Sequence, residues 1–157
     1  MDVMLQKLPN NCLAPMGELE QAKFAKYKNG AMIRCTVVQM RNGKFFRKWW
    51  LLAQYAFDIW KDTMPAIEYR GQPVQPCFDR FRKDLTILAG RYHPVFSARG
   101  DMRVEADSLK WSEMDEEGFE GLYSATLDAI LSKILGHGTF TEAQLRNYVD
   151  GVMAFDH

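Results

Sequence analysis

The chain has 157 residues, 20 Lys and Arg balanced by 20 Asp and Glu, and three cysteines. That length suits a single domain over residues 1–157 and buries about two thirds of the unfolded surface without staples. Cys12, Cys35 and Cys77 are odd in number, far apart and outside any CxxC, which excludes a disulfide scaffold and a zinc ribbon and points to reduced thiols.

The N-terminus MDVMLQKLPNN has no basic region followed by an apolar run, so no signal peptide is expected, and no stretch approaches the roughly 18 apolar residues of a membrane span. Charge is unevenly spread. Between Lys23 and Arg103 there are 16 Lys and Arg against 6 Asp and Glu; from Val104 to His157 there are 3 against 11. The asymmetry permits an anion-binding face, although the two halves can equally neutralise each other on a folded surface.

Val3–Leu8 alternates weakly and stops at Pro9-Asn10-Asn11, which predicts a short strand and a turn, with Cys12–Ala14 continuing the pairing. Gly17–Tyr27 carries Leu19, Ala22, Phe24 and Tyr27 among Glu and Lys, a short amphipathic helix closed by Asn29-Gly30. Ala31–Met40, AMIRCTVVQM, is rich in β-branched residues and reads as a strand feeding into the next element through Arg41-Asn42-Gly43.

From there to Trp60 the sequence contains neither glycine nor proline, so one helix of roughly 27 Å is predicted, with Phe45–Trp60 as its body. Phe45, Trp49, Leu52, Ala56 and Ile59 form one apolar stripe; Phe46, Trp50, Ala53, Phe57 and Trp60 form a second. Lys44, Arg47, Lys48, Gln54, Asp58 and Lys61 remain as a polar seam. A helix this apolar is expected at the centre of the core, and a homodimer with Trp60, Phe57 or the last helix in its interface would cover what one small domain cannot.

Three prolines and a glycine make Met64–Pro76 an exposed connection. Phe78, Phe81, Leu85 and Leu88 predict a helix that ends at Gly90. Arg91–Ala98 and Asp101–Asp107 flank Arg99-Gly100 as a hairpin with a basic tip at Arg99 and Arg103. Ser112 is the expected cap of a helix through Phe119, Leu122, Tyr123, Thr126, Ile130, Lys133 and Ile134, and Thr141 of a last helix through Leu145, Tyr148, Val149 and Val152. The expected fold is α+β: a small, mainly antiparallel sheet packed against a long central helix and two C-terminal helices.

Catalytic and metal motifs are sparse. His93, His137 and His157 have no ligand at metal spacing, the acidic run Glu113–Glu120 reads as charge at a helix start, and GxSxG, Walker, GxGxxG and HExxH patterns are missing. No enzyme, metal or cofactor is expected. The positive cluster Arg41, Lys44, Arg47 and Lys48, with Arg99 and Arg103, is the candidate nucleic-acid-binding set, because cations beside stacking rings are what a single-stranded groove uses.

RNGKFFRKWWLLAQYAFDIW, together with EMDEEGFEGLYSATLDAILSKIL, resembles a family of uncharacterised phage and prophage proteins known as domain of unknown function number thirteen sixty-seven. More distantly, Arg41, Asn42, Arg47, Lys48 and Trp50 resemble the corresponding helix of the lambda Orf recombination mediator. The resemblance implies a protein in the cytoplasm of an infected or lysogenic bacterium, with two expectations for its role. One is an accessory protein that binds single-stranded DNA or RNA in recombination or replication; the other is an inhibitor that binds a host protein such as a defence complex.

Overall fold

The computed structural model describes residues 3–37, 43–136 and 138–155. Arg41 and the rest of 38–42 therefore lie outside the described residues, as do His137 and His157. The chain forms two compact units, Met1–Val38 and Gln39–His157.

In the first unit, β1 (Leu5–Lys7) pairs antiparallel with β2 (Leu13–Pro15), Leu5 opposite Pro15 and Lys7 opposite Leu13. Asn11 takes the turn at φ 62°, a left-handed conformation asparagine tolerates. Helix α1 (Glu18–Ala25) comes next, and its Glu20, 2% exposed, accepts the Met4 backbone N–H and the Lys23 ammonium, both at 2.9 Å. That buried carboxylate ties the hairpin to the helix. The expected strand at Ala31–Met40 is not formed over Ala31–Val37, and Val38–Met40 are outside the described residues. Met32 is wholly exposed and Val37 68% exposed. β-branched composition yields a strand only where the segment pairs with an edge, and Ala31–Val37 pairs with none among the described residues.

The second unit is built on α2 (Gly43–Thr63), of which Phe46, Trp49, Leu52, Ala53, Ala56 and Phe57 are buried. The two predicted stripes merge into one buried face, with Phe45 and Trp50 at its margins. Phe45 stacks on Phe119 at 4.4 Å, and Trp50 meets Phe78 edge-on at 5.2 Å. Phe57 is enclosed by Phe78 and Phe81 of the same chain. Each large side chain so removed from water stabilises the fold by about 1.5–3 kcal/mol.

Within the expected connection Met64–Pro76, β3 (Ile67–Tyr69) and β4 (Gln72–Val74) form a hairpin whose Arg70-Gly71 turn has φ of 52° and 74°. Both strands are exposed throughout. Helix α3 (Phe78–Leu88) buries Phe78, Phe81, Leu85 and Thr86, and Gly90 at φ 85° turns the chain out of it. Strands β5 (Tyr92–Phe96) and β6 (Met102–Ala106) make the predicted hairpin, with β6 against α3.

Helix α4 (Glu116–Ala129) is capped by Asp115, whose Oδ1 accepts the Gly118 N–H at 2.7 Å, and not by Ser112 as expected. The segment before it turns instead, burying Trp111 against Phe46 and Trp49. A π-helical turn, Ile130–Ile134, prolongs α4, closed by Leu135 N–H to Ile130 O at 2.8 Å. Thr141 caps α5 (Glu142–Phe155) in a reciprocal box with Gln144, as the T-x-x-Q spacing requires. The fold is α+β, and among the described residues its strands form three separate two-stranded antiparallel sheets. The core of the second unit lies between helices, where Trp49, Leu52, Leu85, Leu122, Tyr123, Leu127, Leu145 and Val149 are at most 1% exposed.

Candidate interaction surface

The basic seam of α2 divides once its surroundings are seen. Lys44 is exposed and makes no ion pair with a described residue, whereas Arg47 and Lys48 are half-buried. The Lys48 ammonium sits 3.1 Å from Asp150 Oδ1 on α5 and 5.0 Å above the Tyr123 ring of α4. Arg146 is also close to that ring, at 5.1 Å, and donates to Glu120 Oε1 and Glu142 Oε1, each at 2.8 Å. Two cations and three carboxylates thus gather around one buried ring and join α2, α4 and α5. Burial, with the Asp150 charge beside it, pushes the Tyr123 phenol well above its ordinary pKa. Lys48 is committed to this network, which already carries more negative than positive charge.

Arg99 and Arg103 belong to a different element. In the β5–β6 register Tyr92 faces Ala106, Pro94 faces Val104, and Phe96 faces Met102, so these six residues share one side of the ribbon. His93 opposite Glu105 and Val95 opposite Arg103 share the other. His93 donates through Nδ1 to Asp107 Oδ1 at 2.7 Å. Ser97 shapes the tip, its Oγ accepting from the Arg99 and Asp101 amides at 3.3 and 3.2 Å. The guanidinium groups of Arg99 and Arg103 make no ion pair with a described residue.

The first side of the ribbon has the stronger signal: Phe96 is 85% exposed, Met102 69%, Tyr92 50% and Val104 43%. An isolated two-stranded ribbon is marginal in water, and a contiguous exposed apolar face on one marks an interaction surface. Sequence reasoning identified the hairpin but attended to its basic tip. The period-two alternation of Tyr92, Pro94 and Phe96 was the available signal for the apolar side. Among the described residues no group of three His, Cys, Asp or Glu side chains is placed to hold a metal ion, and no helix is long and apolar enough to cross a membrane.

A family model described as protein of unknown function, DUF1367, matches residues 70–155, more than half of the chain. The chain belongs to the DUF1367 family. The DUF1367 match takes in α3, the β5–β6 hairpin, α4 and α5, with the EMDEEGFEGLYSATLDAILSKIL segment inside it. Helix α2, with the RNGKFFRKWW run, lies outside the matched residues. No curated protein and no solved structure matches the chain. Of the candidate cations, the DUF1367 match therefore includes Arg99 and Arg103 alone.

Proposed function

We propose that this chain is a non-enzymatic phage accessory protein that acts in the bacterial cytoplasm by binding a host protein complex through the apolar side of the β5–β6 ribbon. The supporting observation is the cross-strand pair Phe96 and Met102, 85% and 69% exposed with no cover within the second unit. Burying each under a partner contributes about 1.5–3 kcal/mol, and the open ribbon edges offer backbone hydrogen bonds to a partner strand. Charge favours the same reading over a nucleic-acid one. Arg91, Arg99 and Arg103 of this hairpin are offset by Asp101, Glu105 and Asp107, and Lys48 is engaged within the fold.

A second reading keeps single-stranded DNA or RNA as the ligand, favoured by the guanidinium groups of Arg99 and Arg103, which make no ion pair with a described residue, on the same hairpin as the exposed Phe96 ring. One experiment separates the two. The tagged chain, wild type and Phe96→Asp, is used to capture partners from host lysate with and without nuclease, and a labelled oligonucleotide is titrated at low salt. A nuclease-resistant protein complex lost in Phe96→Asp supports the first reading. Oligonucleotide binding whose logarithm falls by about 0.7 per contact per tenfold salt, and which Arg99→Glu removes, replaces it with the second.

A further inference from the structure

The last turn of α2, the β3–β4 hairpin, α3 and the π-helical turn enclose a groove of about 730 Å³. Its walls include Trp60, Met64, Ile67, Val74, Leu88 and Ile134. Water reaches them: Ile67 is 56% exposed, Val74 48%, Met64 39% and Leu88 37%. A concave apolar surface left wet loses about 25 cal/mol for every Å² that a ligand would cover, and the volume falls within the roughly 300–1,000 Å³ of small-molecule sites.

The charges at the groove say what the ligand carries. Arg80 and Asp84 neutralise each other, Nη2 to Oδ1 at 2.8 Å. Lys133 is exposed and makes no ion pair with a described residue. Its position is set by the π turn. In an unbroken α-helix Lys133 would continue the buried stripe of Thr126 and Ile130, but the wider π turn carries it out of that stripe, where it is exposed. Lys133 and Ile134 then stand side by side on the groove wall. One uncompensated positive charge beside an apolar trough complements a ligand with one negative end.

We infer that the groove binds a small amphipathic carboxylate, its acyl or aryl body along Trp60, Ile67, Val74 and Leu88 and its anionic end on Lys133. The site is independent of the partner reading, since the groove and the β5–β6 ribbon share no residue.

The chain contains its own reporter. Cys77 lines the groove with an exposed thiol, while Cys12 and Cys35, also exposed, belong to the other compact unit and serve as internal references. Alkylation of the full chain by iodoacetamide is monitored at each cysteine by peptide mass spectrometry, with dodecanoate or 1-dodecanol present below micelle-forming concentration. Dodecanoate is expected to slow Cys77 about fivefold at roughly four times its Kd and to leave Cys12 and Cys35 unchanged. Dodecanol protects less, Lys133→Gln erases the difference between the two, and Ile67→Asp, on an exposed strand and checked for unchanged circular dichroism, abolishes protection. Protection of all three cysteines alike, none at Cys77, or dodecanol equal to dodecanoate in the wild type overturns the assignment.

Discussion

Trp49 on α2 donates its indole N–H to the Thr126 hydroxyl on α4 at 2.9 Å, where the two residues are 1% and 0% exposed. Thr126 donates its own O–H to the Leu122 carbonyl at 2.8 Å, so the chain of donors is complete and two helices are fixed in register. Thr126→Val keeps the shape and strands the indole N–H away from water, and is expected to cost about 1–3 kcal/mol. Urea unfolding measures it. Adding Trp49→Phe should then cost less than it does in the wild type, because the stranded donor is gone; full additivity in that cycle would show that the bond contributes nothing.

Tyr123 presents the opposite case. Its hydroxyl is buried and finds no partner among the described residues. Tyr123→Phe is therefore expected to be neutral, or stabilising by up to about 1 kcal/mol, at pH 7. The same burial, with Asp150 beside it, raises the phenol's folded pKa above its unfolded value of about 10. Below that value both states hold the proton. Above it the unfolded state ionises first, so stability falls with rising pH by about 1.4 kcal/mol per unit until the folded pKa is reached. That part of the alkaline slope should be missing in Tyr123→Phe, as denaturant midpoints between pH 9 and 11 will show.

How far these relationships were legible in the sequence depends on the distance over which the deciding force acts. Helix α2 was readable because its apolar repeat is long and unbroken, and α5 because Thr141 and Gln144 are three residues apart. Asp115 displaced Ser112 as the cap of α4 because Trp111 had to be buried, a tertiary demand that local propensity does not register. Ala31–Val37 has strand composition and no strand, since it pairs with no edge among the described residues and composition alone does not supply one. The β3–β4 hairpin was hidden by prolines although Arg70-Gly71 makes its turn. Among the candidate cations, charge was legible and engagement was not: Asp150 and Tyr123, which hold Lys48, lie far along the chain.

The Lys48–Asp150 pair predicts a modest stability effect with a clear cross-check. Lys48 is 23% exposed and Asp150 57%, so solvent screens their attraction, and Lys48→Ala is expected to cost about 0.5–1 kcal/mol, including its contact with the Tyr123 ring. Lys48→Glu should cost more, by placing a carboxylate beside Asp150, and Asp150→Lys in the same chain should recover part of the loss. Thermal melts of the three variants provide the test, and equal melting temperatures throughout would show that the pair is not formed in solution.

Helix α2 should be the last part of the second unit to open. Leu52, Ala53 and Ala56 are 0% exposed and Phe57 7%, on a helix packed against α3 and α5, so their amides have no local route to solvent. The Ile67–Val74 hairpin, exposed at every position, is joined to the core by few apolar contacts. Local opening energies scale with such burial, from near zero in exposed segments to the global unfolding energy in the core. Native-state hydrogen exchange should therefore show Leu52–Phe57 exchanging at a rate set by global unfolding and rising in step with denaturant. The amides of Ile67–Val74 should exchange orders of magnitude faster with no such dependence. Exchange of Leu52–Phe57 as fast as that of the hairpin would mean that α2 is not the element on which the second unit is built.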